Sequence, residues 1–190
     1  EDSLDHNKHV HVIFTFTDGT ELRYQDVRKF GTMHVFPAGT EEEELPLSQL
    51  GYEPFDSEFT SQYLYKELKK TTRTIKVALL DQKIVVGLGN IYVDEALFRA
   101  GLRPKRVANK ITKKQAVVLH QAIVDTLSEA VEQGGSTIRS YVNSQGEMGM
   151  FQQYLYVYAR KGEACRSCET PIEKIVVGGR GTHYCPKCQK

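Results

Sequence analysis

No apolar run in this chain approaches the length of a membrane-spanning helix, and no segment repeats, so neither a helical membrane span nor a repeat array is expected. Cysteine is missing from the first 164 residues. Positive charge is scarce in residues 1–60, which hold 4 Lys/Arg against 13 Asp/Glu. Residues 61–190 reverse this with 21 against 11, so the net charge of +1 conceals an acidic third and a basic two thirds. The asymmetry points to a polyanion-binding surface in the C-terminal part, although solvated lysines on helix faces give some of the same excess. With 190 residues, 40% hydrophobic and 26% charged, the chain has the composition of one substantial globular domain or two small ones.

The cysteines that are present come at the end, as Cys165-Arg-Ser-Cys168 and Cys185-Pro-Lys-Cys188, with sixteen residues between the pairs. Each C-x-x-C knuckle aims two thiolates at one point, and two knuckles complete the closed tetrahedral site of structural zinc. Two disulfides are the alternative. The sequence opens without an apolar leader, so a reducing compartment is expected, and there the spacing favours metal. Between the knuckles, Gly178-Gly179-Arg180-Gly181 predicts a hairpin carrying one arginine at its tip. Either the ribbon places that guanidinium somewhere specific, or it is a staple and Arg180 is merely solvated.

Residues 9–16 alternate and are rich in β-branched and aromatic types, Asp18-Gly19 is a turn signal, and Glu21–Tyr24 returns antiparallel. Gly31–Phe36 reads as a third strand, followed by a loop with Pro37, Gly39 and the acidic run Glu41–Glu44. Three strands with no covering helix make an incomplete β part. Its exposed edge is expected to pair with another chain, or the first forty residues to be partly disordered. From Ser57 the period becomes helical: one helix to Lys70, a second over Thr74–Asp81, a third over Ile91–Ala100 and a long fourth over Thr112–Gln133. In the fourth, Val117, Leu119, Ile123, Leu127 and Val131 are expected to face inward, and Gly134-Gly135 stops it. Residues 136–152 are polar, and Tyr154–Tyr158 leads into the ribbon.

Three further places carry candidate chemistry. Gly87, Gly89 and Asn90 form a tight turn before the third helix, a helix N-terminus suited to a phosphate; the simpler reading makes Asn90 an ordinary N-cap. Arg28 and Phe30, beside a turn, suit insertion into a base stack, against a surface arginine and a core phenylalanine. His9 and His11 share a strand face and suit phosphate or metal, against ordinary surface residues, while His120 is expected to be packed or satisfied locally.

Four segments, taken in order, resemble the bacterial formamidopyrimidine-DNA glycosylase (8-oxoguanine DNA glycosylase) family, whose sister branch is endonuclease VIII. They are Asp26-Val-Arg-Lys-Phe-Gly-Thr-Met33, Val86-Gly-Leu-Gly-Asn-Ile-Tyr-Val-Asp-Glu95, Gly134-Gly-Ser-Thr137 and Gly179-Arg-Gly-Thr-His-Tyr-Cys185. The resemblance implies an α+β fold: a remnant of an N-terminal β-sandwich over 1–45, a helix–two-turn–helix domain over 46–152 and a zinc-ribbon hairpin over 153–190.

It also implies roles. Asn90 and Arg180 would clamp phosphates flanking a lesion, and Arg180 would assist elimination. Arg28 and Phe30 would fill the gap left by a flipped nucleotide, with Arg28 facing the opposite cytosine, and His9 matches a DNA-contacting position. Ser136, Thr137, Ile138, Arg139, Ser140 and Tyr141 would begin the loop around an everted base, with Gly146–Gly149 in its cover. Cys165, Cys168, Cys185 and Cys188 would hold one structural zinc. The implied partner is double-stranded DNA with oxidised bases or abasic sites, in the bacterial cytoplasm at the nucleoid. The family's N-terminal proline nucleophile and following glutamate have no counterpart here, where residue 1 is glutamate. The chain therefore reads as the C-terminal two thirds of such an enzyme, inactive alone and monomeric in its parent. A non-catalytic damaged-DNA-binding module, or a pyrimidine-lesion glycosylase of the sister branch, are the alternatives.

Overall fold

A computed structural model of the chain describes residues 8–137 and 148–190, and these divide into two compact units that meet in sequence between Leu45 and Pro46. In the first, β1 (Val10–Thr15) pairs antiparallel with β2 (Glu21–Gln25), with Ile13 opposite Arg23 and Phe14 opposite Leu22. Gly19 takes a positive φ of 83° in the connecting turn, which only glycine adopts freely. A register shift between Val10 and Val12 interrupts the alternation expected of residues 9–16, and His9 precedes the strand.

The third strand expected over Gly31–Phe36 does not form. Its first amide is taken by the Asp26 carboxylate, at 2.8 Å, and no described strand lies alongside, so Val35 is 98% exposed. Phe14, Phe16, Leu22 and Phe30 are also exposed, so the described residues of this unit present an apolar surface and no core of their own.

The second unit holds the core. α1 (Ser61–Lys69) begins four residues later than its period suggests because Thr60 caps it, its hydroxyl accepting from the Tyr63 amide. α2 (Ile75–Leu80) and α3 (Asn90–Arg99) follow, then α4 (Lys113–Glu132). α4 opens with a reciprocal capping box between Thr112 and Gln115. It closes at Gly134 and Gly135, which take φ of 68° and 86°. Leu64, Leu68, Leu79, Leu97, Leu119 and Ile123 pack a single core between the four helices.

Two inward assignments in α4 fail: Val117 and Val131 are 55% and 71% exposed. The buried stripe runs through Ala116, Leu119, Ile123, Leu127 and Ala130. At about 100° per residue, Val117 falls roughly 160° and Val131 roughly 120° around the helix from Leu119. His120 is satisfied, though by a distant partner: its Nε2 lies 2.6 Å from the Phe59 carbonyl.

A short 3-10 turn over Phe151–Tyr154 leads to the last hairpin, β3 (Glu173–Val177) with β4 (Arg180–Tyr184). Its two-residue turn is Gly178-Gly179, both at positive φ, the pattern of a type I′ turn. Among the described residues no helix is long and apolar enough to cross a membrane.

Candidate nucleic-acid interface and metal centre

Gln82 organises the turn between α2 and α3. Its amide donates to the Leu88 carbonyl at 2.9 Å and accepts from the Gly87 amide at 2.9 Å, while Gly87 takes a φ of 87°. This delivers Asn90 to the first turn of α3, but as the first helical residue: Gly89 occupies the cap position, and no side chain caps the helix. The capping role expected for Asn90 is thus corrected. Its side chain is engaged elsewhere, Nδ2 donating to the Gly181 carbonyl at 3.0 Å. Gly181 directly follows Arg180, so the glycine turn and the ribbon tip are joined through one side chain.

Beneath this joint lies a buried ion pair that the sequence reading missed. Lys76 and Asp94 are both wholly buried, with Nζ 2.7 Å from Oδ1. Asp94 Oδ2 accepts from the His183 amide at 2.8 Å, and Lys76 Nζ also reaches the Gly181 carbonyl at 3.4 Å. One carboxylate therefore ties α2, α3 and β4 together. Burial pushes the Lys76 ammonium below the ordinary lysine range, Asp94 resists, and the nearby Arg180 guanidinium adds to the downward push. The signal was a single lysine inside Ile75-Lys-Val-Ala-Leu-Leu80, where a surface helix of this period would not bury it.

The tip fits closely. A Cβ at Gly178 would run into the Val77 side chain, so the hairpin turn rests on α2 and leaves Arg180 exposed. Glu95, one residue beyond Asp94, accepts from the amides of Tyr156, Val157 and Tyr158 at 2.8, 3.0 and 2.9 Å. Burial raises its pKa, and these three bonds act against the rise. Gln189 completes the attachment, accepting from the Cys185 amide and donating to the Leu102 carbonyl, each at 2.8 Å. The ribbon and the segment leading into it are thus held to α3 and to Leu102 just beyond it.

The base of the expected lesion loop is fixed beside the same turn. Ser136 bridges Met150, Thr137 Oγ1 accepts from the Gly149 amide at 2.9 Å, and the Thr137 amide donates to Gln152 Oε1 at 2.9 Å. Gly149 must be glycine, because a Cβ there would overlap the Gly135 carbonyl. A surface depression of about 410 Å³ is lined by Gly89, Asn90, Ile91, Tyr92, Gly135 and Ser136. It brings the glycine turn and the loop base to one place. Ile138, Arg139, Ser140 and Tyr141 lie outside the described residues, as do Gly146 and Glu1.

In the other unit, Arg28 and Phe30 are exposed, with the guanidinium carbon 4.8 Å from the Phe30 ring centroid. Phe30 is therefore not a core residue of this unit. His9 is half-buried, and its carbonyl accepts from the Asp26 amide at 2.9 Å.

The four cysteines converge as their spacing predicts. Their sulfurs lie within 4.8 Å of one another, with Cys165 and Cys188 at 3.9 Å and Cys168 and Cys185 at 3.5 Å. A tetrahedral zinc with Zn–S bonds of about 2.3 Å requires sulfur separations of about 3.8 Å, so the cluster fits the ion. Hydrogen bonds from Thr170 draw the Cys168 thiol down to about 6, while burial, foremost, and the Cys168 sulfur push Cys185 and Cys188 up. Four such groups become thiolates together only around a cation. The finger is a site for one structural zinc ion, which these four thiolates would hold.

Comparison with known proteins agrees with this geometry. Residues 50–142 match the formamidopyrimidine-DNA glycosylase H2TH domain, and residues 162–190 match the zinc finger found in FPG and IleRS. The formamidopyrimidine-DNA glycosylase of Bacillus licheniformis is 71% identical over 97% of this chain and 67% of its own length. That of Bacillus subtilis is 66% identical over 96% of this chain and 66% of its own length. The crystal structure of the MutM (Fpg) protein of Thermus thermophilus superposes with a TM-score of 0.88 at 41% identity, covering 96% of this chain and 69% of that one. A Lactococcus lactis Fpg in complex with abasic-site DNA also gives 0.88 at 41% identity, covering 98% and 69%. The chain spans about two thirds of the length of these curated relatives. On these grounds the chain belongs to the formamidopyrimidine-DNA glycosylase family.

Proposed function

We propose that this chain is the DNA-gripping part of a base-excision repair glycosylase and abasic-site lyase that acts on oxidised purines. The observation that carries the reading is the joint between Asn90 and the Gly181 carbonyl. It sets the amides at the start of α3 beside the exposed Arg180 guanidinium, as two neighbouring donors for a bent phosphate backbone. The loop base at Gly135 and Ser136 borders the same depression, where an everted base would be read. Solved relatives from Lactococcus lactis hold abasic-site DNA and Fapy-dG-containing DNA.

In this reading residues 1–45 are the C-terminal part of an incomplete β-sandwich, 46–152 form the helix–two-turn–helix domain with the lesion loop, and 153–190 form the finger. Arg28 and Phe30 fill the space of the flipped nucleotide and His9 contacts the backbone. The chemistry is attack by an N-terminal proline amine on the deoxyribose C1′. The base leaves, a Schiff base forms, and β,δ-elimination nicks the strand while Arg180 stabilises the departing phosphate. The proline amine is not among these 190 residues, so on their own they bind and do not react. The parent acts as a monomer in the bacterial cytoplasm, and the β edge of this chain pairs with the segment that brings the nucleophile.

The test is incubation of the zinc-loaded chain with a duplex carrying 8-oxoguanine opposite cytosine, with borohydride present. Salt-dependent binding without trapping or nicking is expected, with activity returning when the missing N-terminal portion is supplied. A trapped covalent complex from the chain alone would overturn the assignment of the nucleophile. Failure to bind the duplex would overturn the grip.

A further inference from the structure

The segment Arg28-Lys29-Phe30 does something unusual for an exposed loop. Lys29 takes a φ of 56°, a left-handed conformation that a lysine adopts only against steric cost. The reversal sets the side chains on either side of it against each other, so that Arg28 stacks on a Phe30 ring 75% exposed to solvent. A stacked guanidinium keeps its N–H edge free for a planar partner. Holding such an arrangement open to water requires an anchor.

Asp26 is the group that supplies one. Its Oδ1 accepts from the amides of Arg28 and Lys29 at 2.9 and 3.0 Å, and its Oδ2 from the Gly31 amide at 2.8 Å and the Tyr24 hydroxyl at 3.3 Å. The anchor is itself fixed to the sheet: the Asp26 amide donates to the His9 carbonyl, and the Asp26 carbonyl accepts from His11 Nε2, each at 2.9 Å. Gly31 closes the loop against β2, where a Cβ would run into the Tyr24 hydroxyl. The amides of Arg28, Lys29 and Gly31 thus converge on one carboxylate.

We infer that Asp26 is the positioning residue of the Arg28–Phe30 wedge, setting both side chains for insertion opposite a flipped nucleotide before DNA arrives. The inference rests on the reading of Arg28 and Phe30 as that wedge. The amide bonds, Gly31's foremost, also hold the Asp26 carboxyl below the ordinary carboxylate range, so it stays an acceptor through neutral pH.

The test uses the zinc-loaded protein and a duplex with a tetrahydrofuran abasic analogue opposite pyrrolocytosine, whose fluorescence reports the stacking of the orphan base. Asp26→Ala is expected to lower the fluorescence change at saturation. It should also weaken binding roughly five-fold, the scale of leaving one or two rotamer-rich side chains unordered. The salt dependence of binding should stay unchanged, because no phosphate contact is lost. Asp26→Asn retains an acceptor for Arg28 and Lys29 but meets the Gly31 amide with a second donor. It should fall between Asp26→Ala and wild type, and it keeps the test informative if Asp26→Ala fails to fold. Arg28→Ala and Phe30→Ala define the signal without a wedge. If those two lose the signal while both Asp26 variants keep it, the positioning role is overturned. If Arg28→Ala and Phe30→Ala keep the signal, the wedge reading itself is overturned.

Discussion

The buried pair of Lys76 and Asp94 sets a sharp expectation for the substitution Asp94→Asn. The change preserves shape, and the asparagine oxygen still accepts from Lys76. Its amide, however, would confront the His183 N–H where Asp94 Oδ2 now accepts at 2.8 Å. It also leaves an ammonium in a wholly buried place, beside Arg180 and without its counter-charge. Breaking one side of such a pair costs about 3–5 kcal/mol. The unit Pro46–Lys190 is 145 residues long by its bounds. At roughly 3 °C per kcal/mol for a unit of this size, the expected loss of Tm is about 9–15 °C. The assay is thermal unfolding of the zinc-loaded protein at fixed free zinc, with release of zinc followed by a chromogenic chelator. Replacing both partners, Lys76→Met with Asp94→Leu, removes the stranded charge and is expected to recover part of the loss, the His183 amide being left without its acceptor. A Tm within about 3 °C of wild type for Asp94→Asn would correspond to about 1 kcal/mol and would refute the reasoning. So would a double variant no better than the single one.

Other outcomes follow from the same geometry. Arg99 holds Glu129 in a two-bond contact, at 2.7 and 2.5 Å, and keeps its carboxyl below the ordinary range. Because the folded pKa is depressed, the stabilisation is present above the unfolded value and is lost as pH falls through the lowered one. Glu129 is half-exposed, so Glu129→Gln should cost under about 1 kcal/mol at pH 7 by urea unfolding, and that difference should vanish in acid. Under the proposed grip, Arg180→Ala removes one charged phosphate contact. It should flatten the plot of log binding constant against log salt by about 0.9, whereas Asn90→Ala should weaken binding without changing the slope. Removing zinc with a chelator should unfold the Glu173–Tyr184 hairpin and abolish DNA binding, since a site of this kind supplies folding energy directly. Retention of binding at full strength after zinc loss would contradict the joint between finger and α3.

Much of this architecture was readable because it obeys local rules. The knuckle spacing named the metal, and the glycines at 178 and 179 named the hairpin that presents Arg180. The helical period from Thr112 and the glycine stop at 134 bounded α4 within a residue. Failures came where a residue answers to something distant. Asn90 fits the type of an N-cap, but its partner lies 91 residues later, and no local pattern reveals that. Val117 and Val131 are apolar, yet exposure is set by their angle around α4, which a residue-by-residue scan of hydrophobicity ignores. The Gly31–Phe36 stretch has strand composition but no described neighbour to pair with, and strand propensity without a ladder forms no strand. Lys76, Asp94 and Glu95 were visible only as charges inside apolar helices. Their roles appeared once β4 and the segment at 156–158 were seen to meet them.

The span between Asn90 and Gly181 also has a consequence in time. A chain emerging at about 5–20 residues per second makes the turn before α3 roughly 5–18 seconds before it makes the carbonyl that Asn90 holds. Lys76 waits longer still, since its contact with Gly181 spans 105 residues. During that interval the nascent helices carry a lysine–aspartate pair with no ribbon to cover it and an unengaged asparagine, and the tip of the ribbon does not yet exist. The two cysteine knuckles must capture zinc before the ribbon docks, so the two halves of the joint come together only after Cys188 has been made. An unfinished chain would expose its helix N-terminus but lack the arginine beside it, and would hold nucleic acid weakly while still on the ribosome.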